Sequence, residues 1–351
     1  MPLSGYSTRQ PSSLSPEIIA LDLAPVSVVI PAYNSEEFIG EAISSALAQT
    51  LPVSEIIVVD DGSSDRTAEA AAKLGASVIR QAHGGISVAR NAGIRAAKHE
   101  WIAFLDADDT WEPQKIEYQL AAIRRYPDVG LVSCDLSQWL HGSPVSEIVS
   151  YATGIADNNA PMVYIPQAQG AFLIDRMTYN SPTMLIRREL LLSVGLFDEQ
   201  VRYVEGVECY LRVIARCPIV LVELPLVRQR LHERNTSANS VEMRLSWIKM
   251  VDRLSAEPEK YPPGAAEALA RDMSGQFVPL GRTLLDEGRG REARPLFIRS
   301  LKRKLSKRAA VLWALSFLNL TNFNRLVVAK RGIKVLASRL TKRQSSVASG
   351  R

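Results

Sequence analysis

The sequence predicts an α/β fold: a doubly wound, mostly parallel sheet of Rossmann-like type, followed by an all-helical C-terminal region. Three observations lead there. Short, β-branched apolar runs alternate with helical stretches from residue 26 to about 134. Two acidic clusters, Asp60-Asp61 and Asp106-Ala107-Asp108-Asp109, each follow the end of such a run. Beyond residue 232 the apolar spacing is helical throughout. Strands separated by helices need crossover connections, which favours parallel pairing.

Residues 26–30 are continuously apolar apart from Ser27, as expected of a strand covered on both faces. Pro31 closes it, and Asn34 with Glu37 reads as a helix-start pair. Phe38, Ile39, Ala42, Ile43, Ala46 and Leu47 then recur at helical spacing. The pattern continues with a strand at 55–59, a helix at 66–74, a strand at 77–81 and a helix at 86–98. A strand at 101–105, a helix at 114–125 and a strand at 129–134 complete the regular part. Residues 141–180 read as irregular. A strand at 183–187, a helix at 188–194, a turn at Gly195, a helix at 205–216 and a strand at 219–224 follow. The remainder reads as helices at 241–254, 263–287, 290–304, 307–320 and 324–340. The expected domains are a loose Ser- and Pro-rich leader (1–24), an α/β domain (25–239, in halves 25–135 and 136–239) and a basic helical region (240–351).

The composition excludes several classes. Of 351 residues 46% are apolar and 23% charged, which rules out disorder, collagen and coiled coil as the main state. No run approaches the roughly 18 apolar residues of a membrane-spanning helix, and no secretory signal is expected from the first residues. Cys134, Cys209 and Cys217 lack metal-ligand spacing and read as buried thiols of a reducing compartment. The net charge of +5 is unevenly spread: residues 289–351 hold 17 Lys or Arg against the single acid Glu292, so the rest of the chain is acidic. Two ends of opposite charge suggest different partners.

In open α/β sheets ligands sit beyond the carboxyl ends of the strands, so both acidic clusters should line one edge. Carboxylates one residue apart after a strand, as Asp106 and Asp108 are, suit a hard divalent cation that also binds phosphate oxygens. A rival reading exists, because Asp106-Ala107-Asp108-Asp109-Thr110 fits the D-x-D-x-T signature of haloacid-dehalogenase-type phosphatases. That family carries the motif on its first strand, whereas here three strands precede it.

Four segments occur in order: Val26-Ser27-Val28-Val29-Ile30-Pro31-Ala32-Tyr33-Asn34, Val58-Val59-Asp60-Asp61-Gly62-Ser63-Ser64-Asp65, Gly85-Ile86-Ser87-Val88-Ala89-Arg90-Asn91-Ala92-Gly93, and Phe104-Leu105-Asp106-Ala107-Asp108-Asp109. With them residues 26 to about 237 resemble the family 2 inverting glycosyltransferases of GT-A fold. The resemblance implies sugar transfer from a nucleotide-diphosphate donor, usually a UDP-sugar, to an acceptor hydroxyl, in cell-surface glycan or polysaccharide assembly. It implies Mg²⁺ or Mn²⁺ as cofactor. By the same resemblance Pro31, Ala32 and Tyr33 would wall the base and ribose, Asp61 would accept the uracil N3–H, and Arg90 would lie over the nucleotide. Asp106 with Ala107 would approach the ribose or metal, and Asp108 would ligate the metal.

The acceptor half shows one departure. Relatives carry Glu-Asp-x-Asp where this chain has Glu205-Gly206-Val207-Glu208, so the Asp usually assigned as catalytic base falls on Gly206. Glu205 and Glu208 are the candidate replacements. A non-catalytic nucleotide-sugar-binding or scaffold protein is the alternative that Gly206 raises. Arg230-Leu231-His232-Glu233-Arg234-Asn235-Thr236-Ser237 resembles the family's Arg-x-His-x-x-Asn-x-Ser segment, whose His reaches the metal or diphosphate. Expected partners are the donor, a glycan or lipid-linked acceptor and an anionic membrane surface, with no nucleic acid. The expected location is cytoplasmic, peripheral on the inner membrane face. There the basic tail would bury Leu312, Trp313, Phe317 and Leu320 in the lipid interface.

Overall fold

The computed structural model describes residues 23–148, 155–156, 160–167, 169, 180–233, 235, 241–303 and 307–317. The chain divides into two compact units, one formed by residues up to Ala238 with Lys249–Leu269, the other by Asn239–Ile248 with the residues from Ala270 on. The α/β unit thus includes residues 249–269, which the sequence reading assigned to the tail. The leader up to residue 22 and the helix expected at 324–340 lie outside the described residues.

The α/β unit is built on strands β1 (Ala24–Ala32), β2 (Val53–Asp60), β3 (Ser77–Arg80) and β4 (Trp101–Phe104), joined by helices α1 (Ile39–Leu47), α2 (Thr67–Lys73) and α3 (Ile86–Ala96). The short β5 (Thr110–Trp111), helix α4 (Lys115–Arg125), β6 (Leu131–Leu140), β7 (Ser143–Ile148), β8 (Ile155–Ala156) and β9 (Met162–Ile165) follow. Then come β10 (Leu185–Arg187), α5 (Arg188–Ser193), α6 (Glu205–Ile214) and β11 (Ile219–Leu231). The strand order is β3-β2-β1-β4-β10-β6-β11-β9-β8. β3, β2, β1 and β4 are parallel, β10 runs antiparallel to both neighbours, and β6 and β11 are again parallel.

The sheet is covered on both faces because its central strands alternate between two cores. Val26, Val28 and Ile30 pack with Ile39 and Ile43 of α1 and Ile116 of α4. Val29, Ile57 and Phe104 pack with Ala89 and Ile94 of α3 and with Tyr210 and Val213 of α6. Gly93 lets α3 lie directly on β1, since a Cβ there would stand 2.4 Å from Val29 Cγ1. From β1 the chain winds outward to β2 and β3, then returns to place β4 on the other side of β1. That reversal opens a crevice at the carboxyl ends of β1 and β4.

The structure differs from the sequence reading in four places. Asn34 and Glu37 do not cap α1, which begins at Ile39 behind Phe38; Asn34 Oδ1 instead accepts from the Ser64 amide (2.8 Å), tying the loop after β1 to the loop after β2. Within 141–180 the described residues include β7, β8 and β9, strands too short to give a periodic signal. β11 runs to Leu231, well past 224; the register shifts around Pro225 because proline cannot donate to a ladder, and a bulge absorbs it. After α7 (Val241–Ala256), the helix expected at 263–287 breaks into α8 (Ala265–Met273) and α9 (Phe277–Asp286) around Ser274-Gly275, weak helix formers.

The second unit is helical among the described residues. Ile248 at its start, α9, α10 (Gly290–Arg303) and α11 (Lys307–Leu315) share a core of Phe277, Leu280, Leu284, Leu296, Phe297 and Leu312. Leu312 is therefore already buried in protein, against the expectation that it faces lipid. Val311, Trp313 and Phe317 are exposed.

One feature of the α/β core is costly. Lys115 is fully buried, with Nζ donating to Gln119 Oε1 (2.7 Å) and lying 4.2 Å from the Trp111 ring centroid. Burial pulls its pKa down to about 8, against about 10.4 in an unfolded chain. Between those values the unfolded chain holds a proton that the folded chain does not, so this residue makes stability rise with pH. The buried thiols Cys134, Cys209 and Cys217, pushed up to about 12, act in the opposite sense above their unfolded pKa. The informative quantity is thus the difference between the parent and Lys115→Met. We expect the variant to be more stable at pH 7 by about 2 kcal/mol, an advantage that shrinks as pH rises from 8 to 10. Urea unfolding of both proteins across that range checks it; a pH-independent difference would refute the account.

Candidate active site

The crevice is a cleft of about 390 Å³ at the carboxyl ends of β1 and β4. Pro31, Tyr33, Asn34, Phe38, Ile86, Arg90 and Asp106–Asp109 line it from the first half of the chain. Asn180, Ser181, Tyr203, Glu205, Gly206, Val207, His232 and Asn235 line it from the second. Of the residues expected to form the site, Pro31, Tyr33, Arg90, Asp106, Ala107, Asp108, Glu205 and His232 are brought together. Ala32, Asp61 and Glu208 are not.

Each exception has a physical cause. Ala32 is buried in the core below the first loop. Asp61 is buried, and its carboxylate is occupied: Oδ1 accepts from the Gly84 amide (2.9 Å) and Gln81 Nε2 (2.6 Å), Oδ2 from the Gly85 amide (2.7 Å), with His83 Nδ1 at 2.9 Å. It shapes the turn that leads into α3. Glu208 is fully buried: Oε1 accepts from Arg212 Nε and the Tyr261 hydroxyl, both at 2.8 Å, and Oε2 from Arg212 Nη2 at 2.5 Å. Arg212 in turn donates to the Leu196 carbonyl (2.6 Å). The pair fastens α6 to the turn after α5, and Tyr261 draws residues 249–269 into this unit. Glu208 is thereby a structural anchor.

Arg90 does not lie over the cleft as a stacking platform. It is 3% exposed, with Nη2 2.9 Å from Asp106 Oδ1, Nη1 3.1 Å from Glu205 Oε1, and its guanidinium over the Phe197 ring. Burial disfavours its charge, but Asp106, Tyr210 and Glu205 outweigh this and raise its pKa, so the guanidinium stays charged. The neighbouring Asn91 exchanges hydrogen bonds with the backbone of Phe197, both at 2.9 Å. α3 thus carries two consecutive side chains that hold the second half of the chain against the first. Glu205 Oε2 has no partner among the described residues.

The acidic turn is tied to the end of β11. Asp109 Oδ1 accepts from the Arg230 amide (3.0 Å), and Arg230 Nε donates to the Asp108 carbonyl (3.2 Å). Asp108 Oδ2 lies 3.0 Å from His232 Nε2 and 3.3 Å from Asn235 Nδ2. The Phe38 ring stacks on the His232 imidazole at 5.0 Å, and Asn235 Oδ1 accepts from the His232 amide. Burial, and then Asp106, raise the Asp108 carboxyl above the usual range; burial with Asp108 and Asp106 raises Asp109 further. The turn is therefore short of positive charge, and carboxylate oxygens beside an imidazole are a donor set that fits a hard divalent cation. No three His, Cys, Asp or Glu groups among the described residues converge into a complete cage; a Mg²⁺-like ion completes its shell with water and phosphate oxygens.

Tyr33 is half exposed at the mouth of the cleft and stacks on His83, with centroids 4.2 Å apart. Phe38, Asn180, Ser181 and Tyr203 also line the cleft, and His83 stands beside it on Tyr33; none of the five is among the site residues expected from the sequence. Asn235 lay within the segment quoted around His232, but nothing marked its contact with Asp108. Arg234, Thr236 and Ser237 of that segment lie outside the described residues.

Residues 27–191 match the family described as Glycosyl transferase family 2. The chain is 28% identical over 272 residues to an uncharacterized glycosyltransferase of Rickettsia typhi, covering 73% of this chain and 80% of that one. It is 53% identical over 89 residues to the uncharacterized glycosyltransferase EpsJ of Bacillus subtilis, covering 24% and 26%. In fold it is similar to S. aureus TarS 1–349 in complex with UDP (TM-score 0.53, 18% identity, 83% of this chain and 89% of that chain). It is likewise similar to the mannosyltransferase PcManGT of Pyrobaculum calidifontis in complex with GDP-Man and Mn²⁺ (TM-score 0.52, 16% identity, 87% and 90%). The D-x-D-x-T phosphatase alternative gains nothing from this geometry, since its nucleophile Asp106 is engaged by Arg90 after the fourth strand of the sheet.

Proposed function

We propose that the chain is an inverting glycosyltransferase that moves a sugar from a nucleotide-diphosphate donor to an acceptor hydroxyl, with Glu205 as base. The observation that carries this reading is the buried Arg90, which joins Asp106 and Glu205 in one cleft. Pro31, Tyr33 and His83 would flank the nucleotide. Asp108, with His232 beside it, would hold a divalent ion, Mn²⁺ or Mg²⁺, which supplies neutralisation of the diphosphate charge when bound. Relatives of this fold with UDP or with GDP-Man and Mn²⁺ bound support the donor class.

Glu205 is held by Arg90 at Oε1, and its Oε2 is available to accept the acceptor's proton. The acceptor oxygen then forms a bond to the anomeric carbon as the bond from that carbon to the diphosphate breaks, the electron pair leaving with the diphosphate. A single displacement inverts the anomeric centre and needs no covalent enzyme intermediate. A general base is worth about 10²–10⁴ in rate. Glu205→Gln should cost that much in kcat with donor affinity nearly unchanged, while Glu208→Gln should lower thermal stability first. Unchanged turnover of donor in Glu205→Gln would refute the assignment, and a parent that binds donor without turning it over would favour a scaffold.

Removing the Asp108 carboxylate should abolish the metal-dependent part of donor binding. Asp108→Asn is expected to bind UDP equally with and without Mn²⁺ in calorimetric titration, where the parent binds it more tightly with the ion. Equal metal dependence in both proteins would put the ion elsewhere.

The helical unit is proposed to rest on an anionic membrane face. Among the described residues no helix is long and apolar enough to cross a membrane. Val311, Trp313 and Phe317 are exposed in a segment whose surroundings, residues 289–351, carry 17 basic side chains and one acid. Each basic group near an anionic surface is worth about 1 kcal/mol. The full chain should co-sediment with vesicles containing phosphatidylglycerol and less so as salt rises; Trp313→Ser with Phe317→Ser should reduce this several-fold. Equal binding to neutral vesicles, or none to either, would refute the proposal.

A further inference from the structure

Tyr203 is the unusual residue of the cleft. Its φ is 69°, a left-handed backbone in which an aromatic residue is an outlier. Burial does not hold it there, because the side chain is 43% exposed while lining the cleft. Its hydroxyl has no hydrogen-bond partner among the described residues. Backbone outliers of this kind gather at functional sites, and this one stands two residues before Glu205.

The residues around it share a character. Gly206 puts bare backbone in the cleft wall, and the fit behind it is close: a Cβ there would stand 3.3 Å from Tyr210 Cε2 and 3.5 Å from Ser181 Oγ. Ser181 Oγ accepts from the Tyr210 hydroxyl (2.8 Å), which leaves its own proton to donate. The Asn180 side chain lines the same cleft and has no side-chain hydrogen bond among the described residues. Arg90, the one lysine or arginine among the described residues that line the cleft, has its charge taken by Asp106 and Glu205. An aromatic face, a hydroxyl, an amide and no spare positive charge suit a neutral ring bearing hydroxyls, not a phosphate.

We infer that Tyr203, Asn180, Ser181 and the bare backbone of Gly206 form a subsite for a sugar ring of the acceptor, with Tyr203 covering its C–H face and one ring hydroxyl meeting Glu205. The inference rests on the transferase reading and gives the acceptor a chemical class: a cyclic saccharide rather than a linear polyol or a bare lipid phosphate. A polyol offers no flat C–H face for the phenol ring.

The test is saturation-transfer NMR on the full chain with UDP and Mg²⁺ present, using the methyl glycosides of glucose, galactose, mannose and N-acetylglucosamine, with ribitol and glycerol as linear probes. The parent and Tyr203→Phe should saturate the ring protons of at least one glycoside. Tyr203→Ala should bind that glycoside about threefold to tenfold more weakly, the size of a lost ring contact. Gly206→Ala, which adds a methyl to that wall and presses on Tyr210 and Ser181, should weaken it similarly while UDP affinity stays within about twofold of the parent. The inference fails if no glycoside binds the parent, if ribitol or glycerol is preferred, or if neither Tyr203→Ala nor Gly206→Ala weakens glycoside binding. UDP binding in the same samples reports the donor reading separately: its absence with glycoside binding retained would overturn that reading and support the subsite.

Discussion

Everything in the cleft depends on one buried cation. A guanidinium removed from water costs several kcal/mol unless its partners are well placed, and Arg90 finds them in two carboxylates from sequence-distant parts of the chain. Asp106 follows β4, Glu205 opens α6, and neither forms an ion pair with another cation among the described residues. The ring of Phe197 covers a further side of the guanidinium. The two halves of the α/β unit are thereby held in the register that makes a cleft. Arg90 sits on α3, the helix that Gly93 lets lie directly against Val29 of β1.

The acidic turn obeys a complementary constraint. Asp106, Asp108 and Asp109 occupy four consecutive positions with Ala107, and burial, followed by their mutual repulsion, raises the carboxyls of Asp108 and Asp109. The protein relieves part of this through the Arg230 amide and the His232 imidazole, both delivered by the far end of β11. That delivery requires the strand to pass Pro225, which the register shift permits. The relief is incomplete. On the proposed reading the remaining negative charge is what an ion with the donor would satisfy, since a diphosphate alone would add repulsion.

The parallel half of the fold was legible because its signals are local. Continuous apolar strands, helical spacing and acidic clusters at strand ends are properties of short windows, and they located β1 to β4 and the edge that holds the cleft. Side-chain partnerships across 100 residues leave no such trace. Asp61 and Glu208 are acids at suggestive positions, yet their carboxylates are spent on the amides of Gly84 and Gly85 and on Arg212 and Tyr261. Nothing in the local sequence distinguishes them from Asp106 and Glu205. Tyr203 was equally hidden, because its significance is a backbone angle rather than a residue type. The strand expected at 219–224 stops short because its continuation lies beyond Pro225, where the chain makes a bulge that no local pattern announces.

The glycine at position 206 can be understood from the geometry of a helix start. Adjacent helical residues are rotated by about 100° and separated by 1.5 Å along the axis, so moving a carboxylate from 206 to 205 swings it around α6. At 205 it meets Arg90, which fixes its direction, and it stays in the first turn, where the helix dipole favours negative charge. Glutamate's extra methylene adds reach. An aspartate at 206 would bring its Cβ to 3.3 Å from Tyr210 Cε2 and 3.5 Å from Ser181 Oγ, so the side chain missing there and the carboxylate beside it are two parts of one arrangement. The departure from the pattern this chain resembles leaves an acid in the cleft and bare backbone next to it.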